Sequence, residues 1–309
     1  MRQVILFLCL AISDLNIYCQ NIATDSSVTC NAYWKKGDKR SLTIIKTNET
    51  LNSGKREKFD INRYGVTIEI LNSTKKVYDI EWKLSNLDTG QKRDTSTEAF
   101  VNGLLDFIDL KIIYKANKIG SFDTLVNYEE IKKIVEESIS RYRSAAANKN
   151  DFDNKIKNIL EMWMNRKMME GNLLRDIKLL HSAFGFKYSF SKHQYPTRIA
   201  NFFGGPPLPA ILSEYLIKLD LKADTAKIAY DQDIDQERAA QIIKATLKEI
   251  EKNSGDSKNN DEFPKNIAIN DHTEYDFILT TGWIRRVYFQ RIIKVGAIKN
   301  IQTCEITFK

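Results

Sequence analysis

Alternating apolar and polar residues near both ends of the chain constrain the fold more than any other feature. In residues 66–70 every second side chain is apolar, and a polar turn leads to a second such run at 77–82. The pattern returns in 274–279, followed by long runs at 284–295 and 300–308. A period of two places the apolar side chains on one face of a strand, so these segments predict antiparallel strands with one buried face.

The middle of the chain has a different pattern. Asn127 precedes apolar residues at helical spacing, Leu173 to Phe184 is followed by Gly185, and Asp235 stands before a helical pattern over 236–252. These are helix start and stop signals. A further helix is expected at about 210–219. The sequence thus predicts an α+β fold: a curved antiparallel sheet built from about 31–84 and 274–308, with a large helical insertion over about 98–252.

The first nineteen residues predict export. Arg2 precedes nine consecutive apolar residues, from Val4 to Ile12, and a more polar run leads to Cys19. This is the order of a secretory signal peptide, and nine apolar residues are too few for a membrane span, which needs about 20. We expect residues 1–19 to be removed and residues 20–309 to form a single α+β domain in a periplasmic or extracellular protein.

Two alternatives to cleavage remain at this stage. The apolar run could be a buried strand of a cytosolic protein. Cys19 could instead be the acylated cysteine of a lipoprotein, which is less favoured because bulky Tyr18 precedes it.

Charge and hydropathy narrow the classes of partner. The net charge is +7, but lysines alternate with acids along the chain. This is typical of a solvated surface, and no nucleic-acid motif accompanies it, so no nucleic-acid partner is expected. After residue 19 no stretch is apolar long enough to span a membrane, which predicts a mature chain without a transmembrane segment.

Two cysteines follow the predicted signal peptide, Cys30 and Cys304. In an oxidising compartment two cysteines can pair, so one hypothesis is a disulfide between neighbouring strands. The alternative is two buried thiols.

The sequence assigns no catalytic, cofactor-binding or metal-binding residue. It contains three histidines, and His181 lies on an apolar helical pattern, which favours a packed histidine over a general base. Asp231, Asp233 and Asp235 begin like a calcium loop, but Gln236 and Ile242 stand where that loop has glycine and glutamate. Asp235 is better explained as a helix cap.

An apolar groove is the remaining candidate site. Methionines cluster around Trp163, and such clusters line adaptable grooves for lipids or peptides. We expect Trp163 and Met164 from a helix, with Trp82 and Phe277 from the sheet, to line this groove. The competing interpretation is that all four side chains fill the core.

The motifs at the two ends resemble those of known exported proteins. Trp34-Lys35-Lys36-Gly37-Asp38, the hairpin containing 78–82, and the run from Tyr275 to Trp283, with the Cys19-Gln20 cut site, resemble uncharacterised exported proteins of Bacteroidota-type bacteria. More distantly, the chain resembles the LolA-like half-barrel carriers of lipoproteins. That resemblance implies a curved sheet that clasps acyl chains, without catalytic residues.

The leading functional hypothesis is therefore an exported, non-enzymatic protein that binds a lipid or other apolar ligand, or an envelope protein. A secreted or periplasmic hydrolase without assignable catalytic residues is one alternative. A structural or surface-interaction protein is another.

Overall fold

Most of the described residues form one large, open, curved antiparallel sheet. The computed structural model describes residues 26–88, 110–145, 165–199, 201, 205–254 and 267–309. The sheet has eleven strands in the order β6-β5-β4-β3-β2-β13-β12-β11-β10-β9-β8, and a two-stranded sheet pairs β1 with β7. The predicted signal peptide lies outside the described residues. Within those residues, no helix is both long and apolar enough to span a membrane.

Thirteen strands are formed by the described residues. Their bounds are β1 Ser27–Thr29, β2 Lys39–Asn52, β3 Lys55–Ser73, β4 Val77–Asp88, β5 Lys111–Asn117, β6 Phe122–Leu125, β7 Lys187–Ser189, β8 His193–Ile199, β9 Leu208–Asp220, β10 Thr225–Ile234, β11 Ile267–Ile278, β12 Ile284–Val295 and β13 Ile298–Phe308.

The prediction that segments near both ends of the chain join one sheet is confirmed, and these segments pair in the centre of the large sheet. β2 pairs antiparallel with β13 from Leu42↔Phe308 to Asn52↔Ile298. The predicted hairpin of 66–70 and 77–82 is also confirmed, as the pairing of β3 with β4. A curved antiparallel sheet built from both ends is therefore present.

The predicted helical insertion over 98–252 is wrong in much of its extent. Residues 187–234 contribute the strands β7 to β10, and the segment expected as a helix at 210–219 lies within β9. β9 has apolar residues on both faces, so its sequence alone fits a helix or a strand. The segment forms a strand because its backbone hydrogen-bonds to β8 on one side and to β10 on the other.

Four helices complete the described part of the chain. They are α1 Tyr128–Ala145, α2 Arg166–Leu173, α3 Arg175–His181 and α4 Gln236–Ser254. Two predicted starts are confirmed: α1 follows Asn127, and the Asp235 carboxylate accepts a hydrogen bond from the Arg238 backbone N–H at 3.1 Å. Gly185, four residues after α3, has a φ of 87°, in the left-handed region that favours glycine.

One face of the large sheet carries the buried side chains, and we call it the inner face. The main core lies on it, where the central strands meet α1, α3 and the segment 28–34. In this core Trp34 contacts the rings of Tyr78, His181, Phe184 and Trp283, with centroids 4.9–5.7 Å away. A second, smaller apolar cluster lies where α4 packs against β8 to β12.

The two cysteines do not lie on neighbouring strands, so that expectation is wrong. Cys30 follows β1, next to the small sheet, whereas Cys304 lies in β13 between β2 and β12. Both are free and buried. Burial raises the pKa of the Cys304 thiol to about 12, which disfavours the reactive thiolate.

Candidate functional site

The inner face changes from apolar to polar between the two apolar clusters. The lateral row nearest the main core is almost wholly apolar across seven strands: Tyr64, Ile44, Ile306, Val287, Tyr275, Ile228 and Leu216. In the next row on this face, two residues further along each strand, most side chains are polar, and the row after it is also mainly polar. Since a covered face normally stays apolar, these rows mark a part of the inner face that meets water or a ligand.

Two adjacent rows form this region, and we call it the trough. The rows cross eight neighbouring strands of the sheet, in the order β3-β2-β13-β12-β11-β10-β9-β8. The first row is Asn62, Lys46, Cys304, Phe289, Thr273, Tyr230, Glu214 and His193, and the second is Asp60, Asn48, Gln302, Arg291, Asp271, Gln232, Leu212 and Tyr195. The main core bounds the trough on one side, and the α4 cluster lies beyond its other side.

Two cavities open along the trough and share the side chains of Leu179, Ser182 and Phe289. The first has a volume of about 500 Å³ and is lined mainly by polar residues, among them Lys46 and Arg175. The second, of about 340 Å³, is more apolar and includes Phe186 and Leu212. A polar end and an apolar end therefore adjoin at Phe289. Volumes of this size are typical of small-molecule sites.

A buried carboxylate organises the polar end. Asp176 on α3 is 9% exposed. It pairs with Lys46 Nζ at 2.8 Å and accepts a hydrogen bond from the Tyr64 hydroxyl. Burial, and then the Asp176 charge, raise the pKa of Tyr64 well above its usual value, so this phenol stays a neutral donor. The contacts fix α3 against β2 and β3.

A second ion pair stands where the two ends adjoin. Arg291 donates two hydrogen bonds to Asp271, at 2.7 and 2.5 Å, in the forked arrangement that suits a guanidinium and a carboxylate. The Arg291 guanidinium also lies 5.8 Å from the centroid of the Phe289 ring. The pair is largely neutralised within the protein, so it contributes shape and fixed hydrogen bonding more than net charge.

Glu214 and two tyrosines border the apolar end. Glu214 is 8% exposed. Burial and a hydrogen bond to Glu214 raise the pKa of Tyr195. Tyr230 hydrogen-bonds Tyr188, and burial raises the pKa of both phenols. These tyrosines remain un-ionised at neutral pH and offer rings with polar tips.

The histidines do not form a catalytic system with the described residues. His181 is a packed core histidine, as predicted, between the Gly120 carbonyl at 2.5 Å and the Tyr114 hydroxyl at 2.8 Å. His272 lies on the opposite face beside Asp231, 2.7 Å away.

His193 does contact a hydroxyl, that of Ser189, at 3.0 Å, in a third cavity of about 750 Å³. Ser189 Oγ also donates to the Ser191 carbonyl at 3.2 Å, and within the described chain no carboxylate orients His193. In a nucleophilic dyad a further group, such as a carboxylate, orients the base. We therefore interpret the contact between Ser189 and His193 as a local contact in a turn. The described residues contain no group of three or more His, Cys, Asp or Glu side chains suited to a metal ion.

Two of the predicted groove residues, Trp82 and Phe277, do not line the trough. Trp82 and Phe277 are 2% and 0% exposed and belong to the main core. For these two, the structure favours the competing interpretation, that they fill the core. Trp163 and Met164 lie outside the described residues.

Sequence reasoning missed the trough. The signal was present within single strands: β2 continues Leu42 and Ile44 with Lys46 and Asn48 at the same spacing, and β11 interrupts its apolar positions with Asp271 and Thr273. Polar residues at inward positions of otherwise one-sided strands are the pattern that could have located it.

Comparison with known proteins identifies no family. No family model matches the chain, and no curated protein matches it. Among solved structures, it is similar to a chain from a study of lipid–protein interactions in lipovitellin, with a TM-score of 0.42 and 8% identity. The similarity covers 89% of this chain and 25% of the lipovitellin chain, so this chain spans about a quarter of that protein's length.

Proposed function

We propose that the protein is an exported, non-enzymatic binding protein that holds an amphipathic ligand in the trough. The observation that carries the proposal is the break in the inner face: two rows of polar side chains lie between two apolar clusters, with two adjoining cavities of about 500 and 340 Å³. Export rests on the sequence of residues 1–19.

The lining of the two cavities supports a ligand with two chemically different ends. Leu179, Phe186, Leu212 and Phe289 offer an apolar surface at one end. The side-chain amides of Asn48, Asn62 and Gln302 line the other end. Apolar ligand area buried at the first end would stabilise the complex by about 25 cal/mol per Å². The second end would hold a polar group by hydrogen bonds.

The ordinary alternative is that the trough is only a solvated part of the sheet. Partly exposed polar side chains need no ligand to be satisfied. The exposure of Phe186 argues for a ligand: this ring is 48% exposed at the apolar end. A retained ligand, and probe binding that depends on residues of the trough, would distinguish a binding site from a solvated part of the sheet.

Native mass spectrometry of the protein purified from its own source is the direct test. The expected result is a retained small molecule with an apolar part. A second measurement titrates the recombinant protein with the uncharged fluorescent probe N-phenyl-1-naphthylamine. Leu212→Asp places a charge in the apolar end and is expected to weaken probe binding about tenfold.

A matched control lies one residue away. Ile211 is 43% exposed and, because side chains alternate along β9, points to the opposite face of the sheet. Ile211→Asp is expected to leave probe binding unchanged. If both variants bind like the wild type, or if the wild type neither retains a ligand nor binds the probe, the trough is not a binding site.

A further inference from the structure

One arginine that lines the polar cavity has no ion pair among the described residues, and its surroundings indicate the charge of the ligand. Lys46 pairs with Asp176 at 2.8 Å, and Asp60 with Lys58 at 3.0 Å. Lys178 also lines this cavity without an ion pair, but its ammonium donates to the Glu170 backbone carbonyl at 3.5 Å and lies 5.6 Å from the centroid of the Phe122 ring. Arg291 pairs with Asp271 where the two ends adjoin. Arg175, at the start of α3, lines the same cavity. Among the described residues its guanidinium has a ring contact with Phe289, at 5.9 Å from the centroid, and no hydrogen bond or ion pair.

Arg175 is exposed, but it lines a cavity of the trough. Arg175 and Arg291 both contact the Phe289 ring, which lines both cavities. Arg175 also acts on buried groups of the polar end, since its charge lowers the pKa of Tyr64 and of Cys304 against the stronger effect of burial. The free cation therefore faces the trough where the apolar end begins.

Two half-buried amides in the same cavity are also unused. The side-chain amides of Asn62 and Gln302 have no hydrogen-bond partner among the described residues, although both side chains line the cavity that Arg175 lines. They stand on β3 and β13, two strands apart with β2 between them, a lateral spacing of roughly 10 Å. One small anion cannot contact both amides at once, whereas an extended polar group can reach them from Arg175.

We infer that the ligand of the trough carries an anionic group, a carboxylate or a phosphate ester, which pairs with Arg175 beside the Phe289 ring. The inference rests on the proposed function, because it names the chemical class of the ligand in that same site. The apolar part of the ligand runs from Phe289 towards Leu212, and its further polar atoms meet the free amides. A guanidinium suits both anions, since its planar N–H fork matches two oxygens.

The test uses two probes that differ only in charge. Dansylaminoundecanoic acid carries a carboxylate, and its methyl ester is neutral with the same chain and fluorophore. The wild type is expected to bind the acid about tenfold more tightly than the ester, the size of one charge-assisted hydrogen bond. That preference should shrink in about 0.5 M salt, because the pair is partly exposed and screened.

Variants then assign the preference to Arg175. Arg175→Gln is expected to remove the preference for the acid while leaving binding of the ester within about twofold, and Arg175→Lys to keep part of it. Lys222→Gln, at an exposed position in the β9–β10 turn, changes the net charge equally and should keep the full preference. Thermal melting of each variant checks that the fold is retained.

The outcomes separate this inference from the proposed function. If neither probe binds the wild type, the trough proposal fails and this inference with it. If acid and ester bind equally both for the carboxylate pair and for a corresponding phosphate pair, or if Arg175→Gln keeps the preference, the trough remains a binding site but Arg175 does not select an anion. Repeating the pair with a dansyl alkyl phosphate and its neutral dimethyl ester identifies which anion the site prefers. A preference shown by either acid and lost in Arg175→Gln supports the inference.

Discussion

The buried imidazole of His181 makes the stability of the fold depend on pH. The Gly120 carbonyl can only accept, so Nδ1 of His181 donates to it and Nε2 accepts from the Tyr114 hydroxyl. This is the neutral imidazole with the proton on Nδ1. Burial lowers the pKa of His181 from 6.5 to about 4. A protonated ring would lose its acceptor and bring a charge into the main core.

The sign and size of the effect follow from linkage. Between pH 6.5 and 4 the unfolded chain binds a proton at this histidine and the folded chain does not, so stability is lost as the pH falls. The contribution is fully present above pH 6.5 and declines by about 1.4 kcal/mol per pH unit below it. A shift from 6.5 to about 4 gives a total loss of roughly 3 kcal/mol at pH 4.

Urea unfolding, followed by tryptophan fluorescence between pH 4 and pH 8, measures the dependence. Trp34 contacts His181 and reports on this part of the core. His181→Gln keeps a donor and an acceptor without a titrating group. It is expected to be less stable than the wild type at pH 8 and to lose about 3 kcal/mol less between pH 6.5 and 4.

His193→Gln is the matched control, because His193 is exposed. Its free energy of unfolding should fall with pH as steeply as that of the wild type. The carboxylates that also titrate in this range are the same in all three proteins. Equal slopes for wild type and His181→Gln would show that His181 is not held neutral by the core, and would refute the reasoning.

Three further predictions concern other parts of the chain. Gly282 has a φ of 66°, and a Cβ there would lie 2.2 Å from the Asn31 carbonyl oxygen, so Gly282→Ala should cost about 2–5 kcal/mol in urea unfolding. Gly37→Ala, with nothing within 4 Å of the added Cβ, should cost only about 1–2 kcal/mol, and equal losses would contradict this account. Because Cys30 and Cys304 are buried free thiols, a disulfide-exchange reagent should label them in urea but not in the native protein; rapid native labelling would place them at the surface. N-terminal sequencing of the exported protein should begin at Gln20, and a mature chain that retains Met1 would rule out the signal peptide.

Local sequence determined the strands and helices whose signals are short-range. The run at 274–279 was predicted as a strand from its alternation, and all but its last residue lies in β11. The run at 284–295 was predicted as the next strand, and β12 has these bounds. Asn127 and Asp235 were predicted as helix starts because a side-chain oxygen can satisfy free backbone N–H groups there, and α1 and α4 begin after them. Asp235 accepts from the Arg238 backbone N–H as expected, whereas the Asn127 side-chain oxygen accepts from the Ile113 backbone N–H of β5. Such signals need only neighbouring residues, so they can be interpreted without a fold.

The tertiary structure decided what depends on partners distant in sequence. β9 is apolar on both faces and became a strand because β8 and β10 hydrogen-bond its two edges. Cys30 and Cys304 were separated because one follows the small sheet and the other lies in the large one. The trough spans eight strands and brings together residues that are far apart in sequence, such as Asn62 and Gln302. Each strand contributes only one side chain to each row, and only the register of the sheet aligns those side chains into a site.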